Sequence, residues 1–131
     1  MVKKDIVKGR EERILLVDDE NSVAEFGKRV LTLLGYTVTI RTSSIEALQL
    51  FQAEPARFDL VITDNMMPNM TGMELCKKIK ERRADIPVIL LTGFIHNLTP
   101  EQTERAGFRK CIMKPFLVEE IAQIIREVLD G

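Results

Sequence analysis

Five side chains in this sequence could share one piece of chemistry: Asp18, Asp19, Asp64, Thr92 and Lys114. Each stands where a short apolar run stops. Residues 14–17 end on Asp18 and Asp19, residues 58–63 on Asp64, residues 86–91 on Thr92, and residues 110–113 on Lys114. Runs that are apolar throughout, with β-branched residues such as Val61, Ile62 and Thr63, read as strands buried on both faces. If such strands lie parallel, their C-terminal ends share one sheet edge, and ligands bind at that edge in open α/β sheets. Three carboxylates gathered there repel one another, and without a cation one or more would take up protons. A divalent metal relieves the repulsion. Ligands that are all oxygen, with no His or Cys, suit Mg²⁺, or Mn²⁺ in its place. Mg²⁺ favours one or two carboxylates together with a phosphate oxygen. The chemistry expected is therefore phosphoryl transfer onto Asp64, with the carboxylate as nucleophile. Mg²⁺ and Lys114 would neutralise the transferring oxygens, and the Thr92 hydroxyl would donate a hydrogen bond to one of them.

Each residue alone has an ordinary explanation. An Asp-Asp pair after a strand caps a helix or fills a solvated turn, a Thr ends a strand, and Lys-Pro makes a turn. Their joint occurrence at four strand ends is what points to a site. His96 has no second His near it in sequence and is read as structural or solvated. Met66, Met67, Met70 and Met73 are read as packing and turn residues. Phe94 and Ile95 are read either as buried in their loop or as part of a partner surface.

The elements that must position these residues alternate along the chain. After the first strand, Asn21 or Ser22 can cap a helix whose apolar residues Val23, Phe26, Gly27, Val30, Leu31 and Leu34 recur at helical spacing, and Gly35 stops it. A second strand covers residues 36–41. Ser43 and Glu46 fit a capping box, with Ala47, Leu48 and Phe51 facing inward on the helix that follows. After the central strand, Asn65, Pro68 and Asn69 mark a turn. Thr71 and Glu74 form another box, ahead of Leu75, Cys76 and Ile79. Thr99, Pro100 and Gln102 start a short, polar fourth helix that runs to Gly107. Leu117, Val118, Ile121, Ile124, Ile125 and Val128 stripe a fifth. Five strand–helix alternations with short connections imply an α/β fold: a doubly wound parallel sheet of five strands in the flavodoxin-like order 2-1-3-4-5, with helices on both faces. A cis Lys114-Pro115 peptide is expected, turning the chain so that Lys114 aims back at Asp64.

The totals agree with one domain. The chain has 131 residues, 45% hydrophobic and 30% charged, and a net charge of −1. That charge gives no electrostatic argument for a nucleic acid or an anionic membrane surface. No apolar run approaches a membrane span, and the first residues lack the apolar core of a signal peptide. Cys76 and Cys111 are too few for a disulfide framework and lack metal-ligand spacing, so a reducing, cytoplasmic compartment is the default. Residues 1–12 are polar and aperiodic, and read as a flexible lead-in or linker to a domain over residues 13–131.

The motifs LLVDDE at 15–20, DLVITDNMMPNMTGMEL at 59–75, PVILLTG at 87–93 and KPF at 114–116 resemble the receiver domain of two-component response regulators, over about residues 13–129. GREERILLVDDE and the TGF after the fourth strand are most similar to receivers fused to hybrid sensor histidine kinases. The resemblance implies a cytoplasmic phosphoacceptor domain, not a turnover enzyme, that assists its own phosphorylation and dephosphorylation. The phosphoryl group would come from a phosphohistidine on a sensor histidine kinase or a histidine phosphotransfer domain, and a conformational change would carry the signal. It implies metal binding by Asp18, Asp19, Asp64 and the backbone carbonyl of Met66, phosphorylation of Asp64, and a phosphoryl group held by Thr92 and Lys114. The chain is then either a stand-alone receiver or one cut from a longer kinase. One position departs from the family pattern. Many receivers carry an aromatic residue three positions before the last strand's Lys, rotating inward on phosphorylation; here that residue is Cys111.

Rival readings are weaker on the same residues. A flavodoxin-like cofactor binder needs a phosphate-cradling loop after the first strand, where this chain has Asp18, Asp19 and Glu20. Phosphohydrolases with an Asp nucleophile typically carry a second Asp two residues on, where this chain has Met66. A pseudo-receiver without phosphorylation would not need all five polar residues.

Overall fold

The computed structural model describes residues 6–93 and 99–131. Its elements alternate as β1 (Arg13–Val17), α1 (Asn21–Leu33), β2 (Thr37–Arg41), α2 (Ser44–Ala53), β3 (Leu60–Asp64), α3 (Gly72–Arg82), β4 (Val88–Thr92), α4 (Pro100–Arg105), β5 (Lys110–Met113) and α5 (Val118–Asp130). The strands pair in parallel in the order β2-β1-β3-β4-β5. This is the expected architecture. The strands' apolar runs account for it, because alternate residues feed two separate cores. Ile14, Leu16, Leu60, Ile62, Ile89 and Leu91 pack with α1 and α5 on one face. Leu15, Val17, Val61, Val88 and Leu90 pack with α2 and α3 on the other. A strand apolar at every position has no solvent face to give away.

Element ends follow local chemistry. Full capping boxes form at Thr71/Glu74 and Thr99/Gln102, and at Ser43 the side chain accepts the Glu46 N–H. Gly35, at φ +99°, takes the left-handed conformation that closes α1. β3 and β4 begin two residues later than expected. Asp59 lies ahead of β3, its carboxylate receiving the Arg13 backbone N–H at 2.8 Å. Pro87 lies ahead of β4; it has no N–H to give a ladder and serves as acceptor for Val61. β4 in turn includes Thr92, because the Lys114 N–H bonds the Thr92 carbonyl at 2.9 Å.

Three residues expected on inward stripes face outward. Phe26 is 58% exposed and Leu117 69%, and Val118 is also exposed. Leu117 caps α5 instead of lying within it, so its side chain precedes the packed face. Phe26 reaches along the surface of α1 towards Phe116, ring centroids 6.4 Å apart.

The lead-in is attached to the domain from Gly9 onward. The Gly9 N–H bonds the Leu34 carbonyl at 2.7 Å and the Glu11 N–H the Gly35 carbonyl at 2.8 Å. Glu12 then pairs with Arg126 at 2.6 Å. Arg126 is only 5% exposed, although it lies on the last helix. Its guanidinium also pairs with Asp130, and the buried Tyr36 hydroxyl lies beside it.

This knot should be measurable. Arg126→Met should lower stability in urea by about 1.5–3 kcal/mol at pH 7, the scale of a charge-assisted hydrogen bond. Burial acts to raise the Glu12 pKa, but the Arg10 backbone N–H and the Arg126 guanidinium outweigh it and hold the carboxyl below its usual range. A lowered folded-state pKa gives stability that is present above the unfolded pKa and lost as pH falls through the folded one. The gap between wild type and Arg126→Met should therefore close below about pH 4. A gap that stays constant from pH 7 to pH 3 would show that Glu12 is not part of the knot.

Candidate functional site

Strand register brings the acids together. Val17 pairs with Thr63, so the next residue of each strand, Asp18 and Asp64, comes to the same edge side by side. Asp64 pairs with Leu91, and Thr92 with Met113, so Thr92 and Lys114 follow at that edge on β4 and after β5. Asp18 is 1% exposed, Asp64 and Thr92 are buried, and Asp19 faces solvent. One carboxylate oxygen from each of Asp18, Asp19 and Asp64 lies within 4.8 Å of the others. The four strand ends thus converge as their sequence suggests.

The Lys114 ammonium bridges two of these acids. It lies 2.7 Å from Asp18 Oδ2 and 3.6 Å from Asp64 Oδ1. The other Asp18 oxygen, Oδ1, accepts the Glu20 N–H at 3.0 Å. The Lys114-Pro115 peptide is cis, as expected. Burial, chiefly, raises the Asp64 pKa above the usual carboxylate value; Lys114 opposes this, and the charges of Asp18 and Asp19 add to it. Desolvation works against the Lys114 charge, yet the bond to Asp18 and the fields of Asp18 and Asp64 hold its pKa above the usual lysine value. Asp64 is therefore a carboxylate whose charge is under-compensated.

The turn after Asp64 is fixed by residues that periodicity does not single out. The Asn65 carbonyl accepts N–H bonds from Met67 at 3.1 Å and Gly72 at 3.0 Å, and Asn65 Oδ1 accepts the Met73 N–H at 3.3 Å. Gly72 lets α3 start against the end of β3: a Cβ there would overlap the Asp64 carbonyl and lie 2.9 Å from the Asn65 Cα. The signal for both was their position, directly after the acid and directly after the capping Thr71. Met66 sits in this turn with its side chain 67% exposed. Cys111, in the position where the resemblance expects an aromatic residue, is exposed on β5. Phe94, Ile95 and His96 lie outside the described residues.

The donor set fits a hard divalent cation. It is all carboxylate oxygen, gathered within one ion's reach, with a single ammonium among the described residues to offset three charges. Such an edge can hold a cation, and it can present a buried carboxylate as a nucleophile.

Comparison with known proteins agrees with this geometry. A family model described as the response regulator receiver domain matches residues 14–126. The probable transcriptional regulator ycf27 of Cyanidium caldarium is 35% identical over 120 residues, covering 92% of this chain and 47% of the relative. The sensor kinase CckA of Brucella abortus is 30% identical over 117 residues, covering 89% of this chain and 12% of the kinase. Among solved structures, the response regulator TrrA from Thermotoga maritima, in complex with Mg(2+)-BeF, superposes with a TM-score of 0.81 at 31% identity, covering 90% of this chain and 99% of that one. The chain spans about half the length of the first curated relatives it matches. A family match that runs from β1 into α5, on a sheet of the same order and with its acids at the expected edge, makes this chain a member of the response regulator receiver domain family, the phosphoacceptors of two-component signalling.

Proposed function

We propose that Asp64 is the phosphoacceptor and that Asp18, Asp19 and Asp64, with the Met66 carbonyl, hold the metal that transfer requires. The observation that carries this reading is the buried Asp64 carboxylate at the end of the central strand, with two acids within 4.8 Å and the Lys114 ammonium at 3.6 Å. An Asp64 oxygen attacks phosphorus, the bond from phosphorus to the donor imidazole nitrogen breaks, and its electron pair stays on that nitrogen. Lys114 and the Thr92 hydroxyl take up the phosphoryl oxygens. When bound, Mg²⁺, or Mn²⁺ in its place, supplies neutralising charge to those oxygens. The donor is a phosphohistidine on a sensor histidine kinase or a histidine phosphotransfer domain, and phosphorylation is read out as a conformational change. The chain assists its own phosphorylation and dephosphorylation without being a turnover enzyme. No helix among the described residues is long and apolar enough to cross a membrane. A cytoplasmic place fits the reducing cysteine pattern, and neither nucleic acid nor membrane contact is called for by the net charge. Its setting is either a stand-alone receiver or the receiver of a hybrid kinase.

The direct test is labelling by a small phosphodonor such as acetyl phosphate in Mg²⁺. Asp64→Asn should abolish it, and the mutant's labelling at the native rate would defeat the assignment.

Mg²⁺ should stabilise the protein by mass action. At ten times the dissociation constant the gain is about 1.4 kcal/mol, or about 5 °C in melting temperature. Asp19→Ala should need more Mg²⁺ for the same shift. Melting that is indifferent to Mg²⁺ would count against a metal site.

Phosphate loss should be slow. A water must attack phosphorus opposite Asp64 and needs a polar group to orient it. In receivers that group stands two residues after the acceptor; here that is Met66, whose thioether is a weak acceptor. Met66→Asn should speed decay of the labelled protein once donor is removed, and Met66→Glu should slow it. A wild-type half-life of seconds, or no response at position 66, would show that this side chain does not control the water.

A further inference from the structure

Nine large apolar side chains are exposed among the described residues, and five of them, Ile6, Phe26, Leu33, Leu117 and Val118, lie on α1, on α5 or beside them. The two helices pack on the same face of the sheet. The Phe26 ring meets Phe116, just before α5, and Ile6, Leu33 and Val118 line one apolar groove with Val30 and Leu34. The exposed side chains therefore make one patch across both helices, and such a patch marks an interaction surface. Charge is segregated within it. Phe26, Arg29 and Leu33 recur at helical spacing, so α1 shows an apolar stripe with a cation in it, and Lys8 adds a second cation beside the groove. α1 as a whole carries Lys28 and Arg29 against Glu25. On α5, Glu119, Gln123 and Glu127 recur every four residues as an acidic stripe, and the helix's basic residue, Arg126, is buried and paired with Glu12 and Asp130. Lys8, Arg29, Glu119 and Glu127 are exposed, and none is ion-paired among the described residues.

We infer that this face docks a second copy of the chain, with α1 of each copy lying on α5 of the other. The surface is self-complementary: it carries an apolar stripe with cations on one helix and an acidic stripe on its neighbour. A two-fold axis along the helices places each stripe on its opposite and makes every contact twice. An axis across the helices would set α1 on α1 and α5 on α5, bringing cations to cations and acids to acids, so charge selects the first arrangement. Phe26, Leu33, Leu117 and Val118 supply the apolar area, and the charged pairs at its rim fix the register. The face is small. Each helix has 13 residues, about 20 Å of length, and two helices about 10 Å apart offer a face of about 20 by 20 Å. That is less than a permanent dimer buries, so the pair is weak and reversible.

The experiment is a charge swap on the full chain, read by sedimentation equilibrium at low salt. Wild type should move from monomer towards dimer mass as its concentration rises to about 1 mM. One variant reverses the basic side, Lys8→Glu with Arg29→Glu, and another the acidic side, Glu119→Lys with Glu127→Lys. Each alone should self-associate at least about tenfold more weakly, because like charges then face one another at both contacts. An equal mixture of the two should associate again, since each contact then joins opposite charges. Wild type that stays monomeric at about 1 mM would overturn the inference and leave the face to a partner of another sequence. Reversed variants that dimerise like wild type, or a mixture that does not recover, would overturn it as well. A second measurement needs no variant: on dilution of wild type, the amide resonances that shift should be those of α1, α5 and Leu117. Shifts confined to other elements would place the contact elsewhere and overturn the α1–α5 assignment, and they decide the matter if a variant does not fold.

Discussion

Repulsion among three carboxylates is the constraint on which this edge of the molecule depends. The β1–β3 register leaves Asp18 and Asp64 adjacent and gives neither strand a way to separate them. Among the described residues Lys114 is the cation ion-paired with these acids, and it reaches only two of the three closely. The result is that the Asp64 pKa is pushed up by burial and by its acidic neighbours. Nearby positive charge favours the ionised form of such a group. Such a donor set is suited to a hard divalent cation.

The fold supplies the rigidity that holds such a site in place. Each central strand is buried on both faces, so its ends cannot drift without disturbing both cores. The turn after Asp64 has its own bracing. Asn65 binds three backbone N–H groups of the following segment, and Gly72 allows α3 to close against the strand end. Asp64 therefore sits between a strand packed on both faces and a braced turn, and the Lys114 backbone is tied to Thr92.

What was legible in the sequence follows from the range of each signal. Strand order and the convergence of Asp18, Asp19, Asp64, Thr92 and Lys114 came from short apolar runs and their terminal residues, both local features. The capping residues Thr71 and Thr99 were legible for the same reason. Phe26 and Leu117 were misplaced because helical spacing marks an apolar stripe without saying how wide the covering sheet is. Phe26 sits at the rim of α1, and Leu117 stands before the first turn of α5. The tie between Glu12 and Arg126 joins residues at opposite ends of the chain, and no periodicity signals it. Asn65 and Gly72 act through backbone contacts that become visible only once α3 is placed.

The two edges of the sheet use charge in opposite ways, and this separates stability from function. At the edge where strands begin, acids and bases are matched: Arg13 with Asp59, Arg83 with Asp85, and Arg126 with Glu12 and Asp130. Arg83 also donates to the Pro55 and Phe58 carbonyls, at 3.0 and 2.7 Å, fastening α3 to the loop before β3. Every charge named there has an opposite partner, and the pairs close the structure. At the edge where strands end, three carboxylates face one ammonium among the described residues, a formal charge of −2 when the acids are ionised. A pocket of that sign repels an incoming phosphoryl group and attracts a divalent cation. On the proposed assignment of Asp64 as phosphoacceptor, the imbalance sets an order of events: positive charge arrives before the phosphoryl group.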